Sequence, residues 1–263
     1  MKVPDHLYKM DNSFPLIQRT SWSDEQRRAV WCIIVKSRKN LKIELSPIVA
    51  TAFILLQHYF KNPGENPYTI FTLMVSSLFA ACKACDCYRP IKYIYDELAR
   101  ILKIAPKEIT ENIGTNPDEI TALQPQSMVD LTHCEIDLLN AVDFNTQVEL
   151  PFVHFEKWRE SLKTKIPNEQ FMMICSKIVI DICLVICSRC YLDLPPEVAA
   201  ASAMAESVPS DILSTELLEW FEDVRQKYGD KVFKFAQMSI EAERGRTATP
   251  ASPDKARVSE CPN

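Results

Sequence analysis

The chain has 263 residues, 47% of them hydrophobic, enough to bury a sizeable core. Its 30 basic and 35 acidic side chains leave a net charge of −5, the wrong sign for a protein that grips nucleic acid through phosphates. Only four glycines occur, Gly64, Gly114, Gly229 and Gly245, which excludes a glycine-rich phosphate loop and argues against a turn-dense β-sandwich.

Seventeen prolines fall mostly between apolar segments, where they read as stops between helices, so an all-α fold is expected. Met1 to Thr20 carries charges and prolines but no apolar run of the kind that marks a secretory leader. Residues 1–22 are therefore read as an N-terminal extension. Helical patterns then follow over Asp24 to Arg38, capped by Ser23 or Asp24, and over Leu45 to Lys61, stopped by Asn62-Pro63-Gly64. Further segments run from Tyr68 to Lys83, from Pro90 to Leu102 and from Ser127 to Val142, with a short helix near Pro106 to Asn112. That is five principal helices. A second set of five spans Pro151 to Leu162, Asn168 to Cys190, Pro195 to Ser207, Ser214 to Lys227 and Asp230 to Glu243. The tail from Gly245 to Asn263 loses apolar periodicity and reads as disordered, with Thr249-Pro250 and Ser252-Pro253 as weak proline-directed phosphorylation signals.

The third helix of each set is built from small residues: Ser76, Ser77, Ala80 and Ala81 in the first, Ala199 to Ala203 and Ala205 in the second. Small side chains let neighbours approach closely, so each third helix is expected at the centre of a ring of four. The longest apolar stretch, Phe171 to Cys190, is interrupted by Lys177, Asp181 and Arg189 and reads as a core helix rather than a membrane span.

Ten cysteines without a leader imply reduced thiols. A zinc site would pair Cys82 and Cys85 with Cys187 and Cys190. Against it, Cys183, Cys187 and Cys190 fall at i, i+4 and i+7 inside an apolar run, the spacing of buried core thiols. No metal and no cofactor are expected. The four histidines, His6, His58, His133 and His154, are scattered, and no nucleophile motif accompanies them, so no catalytic group is assigned.

Several segments, taken in order, resemble cyclins. Leu55 to Arg89 is similar to the second and third helices of a cyclin box, with His58-Tyr59-Phe60 closing the former and Ala81-Cys82-Lys83 the latter. Cys134 to Phe144, containing Glu135, Leu138 and Phe144, resembles the fifth box helix. Phe144 to Phe152 is similar to the opening of the second repeat in transcription-type cyclins of the C, K, L and T groups. Tyr191 to Ala203 and Leu217 to Val224 resemble that repeat's later helices. Family members carry Glu two positions after the box lysine, where this chain has Cys85 followed by Asp86, and Leu150 stands where transcription-type members often have His. Arg27 to Trp31 resembles the substrate-docking motif of mitotic cyclins without its leading Met, so docking there is not expected.

The resemblance implies tandem five-helix cyclin-box repeats, at 23–148 and 149–244, ahead of the tail at 245–263. It implies a nuclear regulatory subunit, not itself an enzyme, that pairs with a cyclin-dependent protein kinase and activates it in transcription. It places the kinase-binding residues at Lys83 and Glu135, with Asp86 beside them and Phe79, Leu138 and Leu139 as apolar neighbours. Membranes, nucleic acid and small-molecule substrates are not expected as partners. The alternative is a cyclin-fold adaptor that binds protein or DNA without activating a kinase, using the basic run Arg27, Arg28, Lys36, Arg38, Lys39 and Lys42.

Overall fold

The computed structural model describes residues 17–18, 22–62, 65–189 and 191–247. His6, Cys190, the Pro63-Gly64 stop and the Thr-Pro and Ser-Pro dipeptides of the tail lie outside the described residues. Among the described residues the fold is all-helical, apart from one antiparallel pair of two-residue strands, β1 (Ile17–Gln18) and β2 (Glu65–Asn66), with Ile17 opposite Asn66. The chain divides into two compact units, 1–146 and 147–263.

The first unit holds α1 (Asp24–Leu41), α2 (Ala50–Lys61), α3 (Ile70–Ala84), α4 (Ile91–Ile104), α5 (Lys107–Ile113) and α6 (Pro125–Asn140). Ser23 starts α1 with a reciprocal box: its hydroxyl accepts from the Gln26 N–H at 3.1 Å while Gln26 Oε1 accepts from the Ser23 N–H. The far end of α1 is closed from outside. Arg89 donates through Nε to the Leu41 carbonyl at 2.6 Å and through Nη2 to the Lys42 carbonyl at 2.8 Å, and the Tyr93 hydroxyl donates to the Asn40 carbonyl. A cation on exposed carbonyls also suits the negative end of the helix dipole.

Two boundaries differ from the expected ones for local reasons. The continuous helix expected from Leu45 is broken: a π-turn over Leu45–Val49 precedes α2, because Ser46 lies before Pro47 and is forced out of the helical region (φ −117°, ψ 127°). α3 begins at Ile70 rather than Tyr68, because the Thr69 hydroxyl caps it by accepting from the Thr72 N–H at 3.1 Å. Tyr68 is left outside the helix, and its hydroxyl donates to Asp137 on α6 at 2.8 Å. Burial and that hydrogen bond push the phenol well above its usual value.

α3 is the centre of this unit, packed by α1, α2, α4 and α6. Its small residues Ser76, Ser77, Ala80 and Ala81 are all buried. Ser76 Oγ donates to the Leu131 carbonyl of α6 at 2.9 Å, so the hydroxyl inside the core is satisfied. Around α3 pack Ile33 and Ile34 of α1, Phe53 and Tyr59 of α2 and Leu98 of α4, none of them solvent-accessible.

The second unit holds α7 (Pro151–Lys163), α8 (Asn168–Cys187), α9 (Pro196–Ser207), α10 (Thr215–Tyr228) and α11 (Asp230–Thr247). α8 stops three residues before the expected Cys190, where Ser188 turns extended and its hydroxyl caps the Val185 carbonyl at 2.6 Å. α11 instead runs past Gly245, into the segment read as tail. The centre is α9, packed by α7, α8, α10 and α11, with Ala199, Ala200, Ala201, Ser202 and Ala203 fully buried. Ser202 Oγ donates to the Phe233 carbonyl of α11 at 3.5 Å. α8 is long and apolar enough to cross a bilayer by length and composition, but half of its apolar window is buried against its neighbours in this unit.

Buried charge ties α8, α9 and α11 together. Asp181 of α8 is 1% exposed; it accepts from Arg244 Nε at 2.9 Å, pairs with Arg244 Nη2 and accepts from the Ser207 hydroxyl at 2.5 Å. Elsewhere in this unit Glu197 accepts from Lys227 at 2.8 Å, the Tyr228 hydroxyl at 3.1 Å and Trp220 Nε1 at 3.3 Å. Burial pushes its carboxyl up, and the three hydrogen bonds outweigh that and hold it below the usual carboxylate value. In the first unit Glu97 takes a bidentate pair from Arg100, both bonds 2.8 Å, plus Asn40 Nδ2 at 3.0 Å. The Arg100 bonds outweigh burial and, with Asn40, keep that carboxyl low.

Removing Arg244 strands a carboxylate from which water is excluded, so Arg244→Ala is expected to cost about 3 kcal/mol. The measurement is urea unfolding followed by Trp158 and Trp220 fluorescence; an unmoved midpoint would refute the pairing. The lowered Glu97 and Glu197 carboxyls add stability that is complete above the unfolded value of about 4.3 and is lost as pH falls through their lower folded values. The urea midpoint is therefore expected to fall between pH 5 and pH 3, and Glu97→Gln to make that fall shallower.

Candidate functional site

The residues singled out in the sequence gather where α3 leaves the core of the first unit. Lys83 sits in its last turn with nearly half its side chain exposed, and the ammonium lies 4.7 Å from the centroid of the Phe79 ring, one turn back. α6 packs along α3 and brings Glu135 against this end, where its carboxylate pairs with the Lys83 ammonium. The two partners are unequal. Glu135 is only 7% exposed, whereas Lys83 reaches water. The fold thus fixes the carboxylate and leaves the cation at the edge, where it can be shared with something that arrives from outside.

Asp86 is exposed two residues past the end of α3, in the left-handed region at φ 52°. It adds an acidic residue three positions past Lys83. Cys85 is half-buried, and burial pushes its thiol up, so it supplies no charge there. Leu139 is half-buried. Leu138 is 0% exposed and lies in the core of the first unit, on the inner face of α6 that meets α3.

Phe79 also lines a shallow, open, mostly apolar groove with Tyr88, Pro90, Leu123, Pro125 and Met128. None of these except Phe79 was singled out from the sequence. Tyr88 was the legible signal, a large ring among polar turn residues, and it is 69% exposed. The surface therefore combines the half-exposed Lys83, the buried Glu135, the exposed Asp86 and an aromatic groove within a single unit.

The other sequence candidates do not assemble. Cys82, Cys183 and Cys187 are buried, and among the described residues no group of three or more His, Cys, Asp or Glu side chains is placed to hold a metal ion. His154 is buried beside Glu149 at 2.9 Å, far in sequence from the other described histidines, His58 and His133. The basic run on α1 is also split. Arg27 is 3% exposed and paired with Asp24 at 2.8 Å, and Arg28 is paired with Glu25, which leaves Lys36, Arg38, Lys39 and Lys42 as its exposed part.

No protein-family model matches the chain, and no curated protein matches it.

The unequal burial of the pair makes an asymmetric prediction. Lys83→Ala leaves Glu135 enclosed without its counter-charge, whereas Glu135→Gln leaves a lysine that can turn to water. Lys83→Ala is expected to lower stability by about 1–2 kcal/mol in chemical denaturation, and Glu135→Gln by less; the reverse order would show that Glu135 is not held by Lys83.

Proposed function

We propose that this chain is a cyclin-like regulatory subunit that binds and activates a cyclin-dependent protein kinase, acting in the nucleus in the control of transcription. The observation that carries the reading is the Lys83–Glu135 pair at the outer end of the central helix α3, the two positions that the cyclin resemblance assigns to the kinase interface. The tandem-box reading draws support from a parallel between the units. Each has a small-residue third helix ringed by four others, and in each a serine of that helix donates to a carbonyl of the unit's last helix, Ser76 to Leu131 and Ser202 to Phe233.

The mechanism is one of selection. A kinase of this class is active only when its C helix is positioned so that the lysine–glutamate ion pair of its own active site forms. A rigid helical surface that binds the swung-in C helix better than the swung-out one shifts the population by its differential affinity, and catalysis remains in the kinase. Lys83 and Asp86 present hydrogen-bonding charges to backbone and side chains of that helix, while Phe79 and the groove beside it contribute buried area. The charged contacts set orientation and specificity more than affinity.

The test is reconstitution of the full chain with cyclin-dependent kinases, scored by 1:1 complex formation and substrate phosphorylation. The double variant Lys83→Glu with Glu135→Lys retains an internal pair of reversed sense, so circular dichroism is expected to stay unchanged while kinase affinity falls at least about tenfold, or 1.4 kcal/mol. Association that survives the reversal would remove this surface from the interface. A complex that forms without raising phosphorylation would favour the adaptor reading.

A further inference from the structure

The end of α3 carries three cysteines that the kinase reading does not use: Cys82, Cys85 and Cys87. The helix closes in a Schellman turn. The Cys87 N–H donates to the Cys82 carbonyl at 2.9 Å and the Asp86 N–H to the Lys83 carbonyl at 3.3 Å, with Asp86 in the left-handed conformation that glycine usually supplies. In this kind of helix end the side chains of the residues joined by the outer hydrogen bond pack against one another. Here both are cysteines. The covalent bonds on either side of that hydrogen bond keep the two Cα atoms within about 6.8 Å, inside the span a disulfide can bridge.

The two thiols are differently placed. Cys82 is fully buried, and its thiol is pushed up to about 12, first by burial and then by the Cys87 thiol beside it. Cys87 is half-buried and meets solvent. Cys85, between them in sequence, is engaged elsewhere by a hydrogen bond with Thr51 at the start of α2.

We propose that Cys82 and Cys87 form a reversible oxidation site, a dithiol that a hydroperoxide converts into a disulfide across the end of α3. The Cys87 sulfur, as thiolate, attacks one peroxide oxygen. The O–O bond breaks, the departing oxygen takes a proton and leaves as water, and Cys87 becomes a sulfenic acid. The Cys82 sulfur then attacks the Cys87 sulfur; the S–O bond breaks, and the hydroxyl leaves as a second water with the Cys82 proton. Two thiols and one hydrogen peroxide give one disulfide and two waters, a two-electron oxidation that a dithiol reductant reverses. The bond would staple the turn that carries Lys83, whatever partner that lysine meets.

The sequence makes the product easy to read. Trypsin cuts after Lys83, so Cys82 falls on the peptide 62–83, where it is the only cysteine, and Cys87 on 84–92. The full chain is treated with dilute hydrogen peroxide, its remaining thiols are alkylated, and the digest is weighed. A cross-linked pair of these peptides, two hydrogens lighter than their sum, is expected. It should vanish on dithiothreitol, persist in Cys85→Ser and be absent in Cys87→Ser. A bridge confined to 84–92, a cross-link lost in Cys85→Ser, or Cys87 found as sulfinic acid with Cys82 still alkylatable would each overturn the proposal.

Discussion

A helix surrounded on all sides has no face left for water, and that constraint governs both halves of this protein. α3 and α9 are each enclosed by four helices, and their buried small residues let those neighbours approach closely. A buried hydroxyl must also find a partner, and Ser76 and Ser202 find theirs in the carbonyls of α6 and α11. These bonds do more than satisfy two hydroxyls. They set how the last helix of each unit lies along the central one, and in the first unit that placement brings Glu135 to the end of α3.

What happens at that end follows from leaving the core. Within a few residues the chain passes from the enclosed Ala81 and Cys82 to the exposed Lys83 and Asp86. An ion pair that straddles such a boundary is held by its buried member and offered by its exposed one. The same transition closes the helix with two backbone hydrogen bonds, one of them joining Cys87 to Cys82, and opens an aromatic groove beside Phe79. Charge, thiol chemistry and apolar area are concentrated there because a central helix has only its ends to present.

Polar closure recurs away from this surface. Arg89 and Tyr93 cover the last carbonyls of α1, and Arg244 neutralises Asp181 between α8, α9 and α11. In each case a side chain distant in sequence satisfies a group that its own helix cannot. Such bonds select one arrangement among many that would bury similar apolar area.

The amino-acid sequence by itself determined the helical class and most helix limits, because proline positions, the Ser23 cap and apolar periodicity act over a few residues. It also marked both small-residue helices as central, and Lys83 and Glu135 as a pair through resemblance to cyclins. Some limits escaped it even so: α3 starts at Ile70, capped by Thr69, rather than at Tyr68, and Ser46 before Pro47 interrupts the helix ahead of α2. Only the tertiary structure decided that Leu138 faces inward, that Arg27 is buried, and that Tyr88 and Met128 share a groove with Phe79. The physical reason is range. Caps and periodicity are local and leave a trace in neighbouring residues, whereas burial, counter-charge and groove shape depend on which distant helix arrives, and no short stretch of sequence records that.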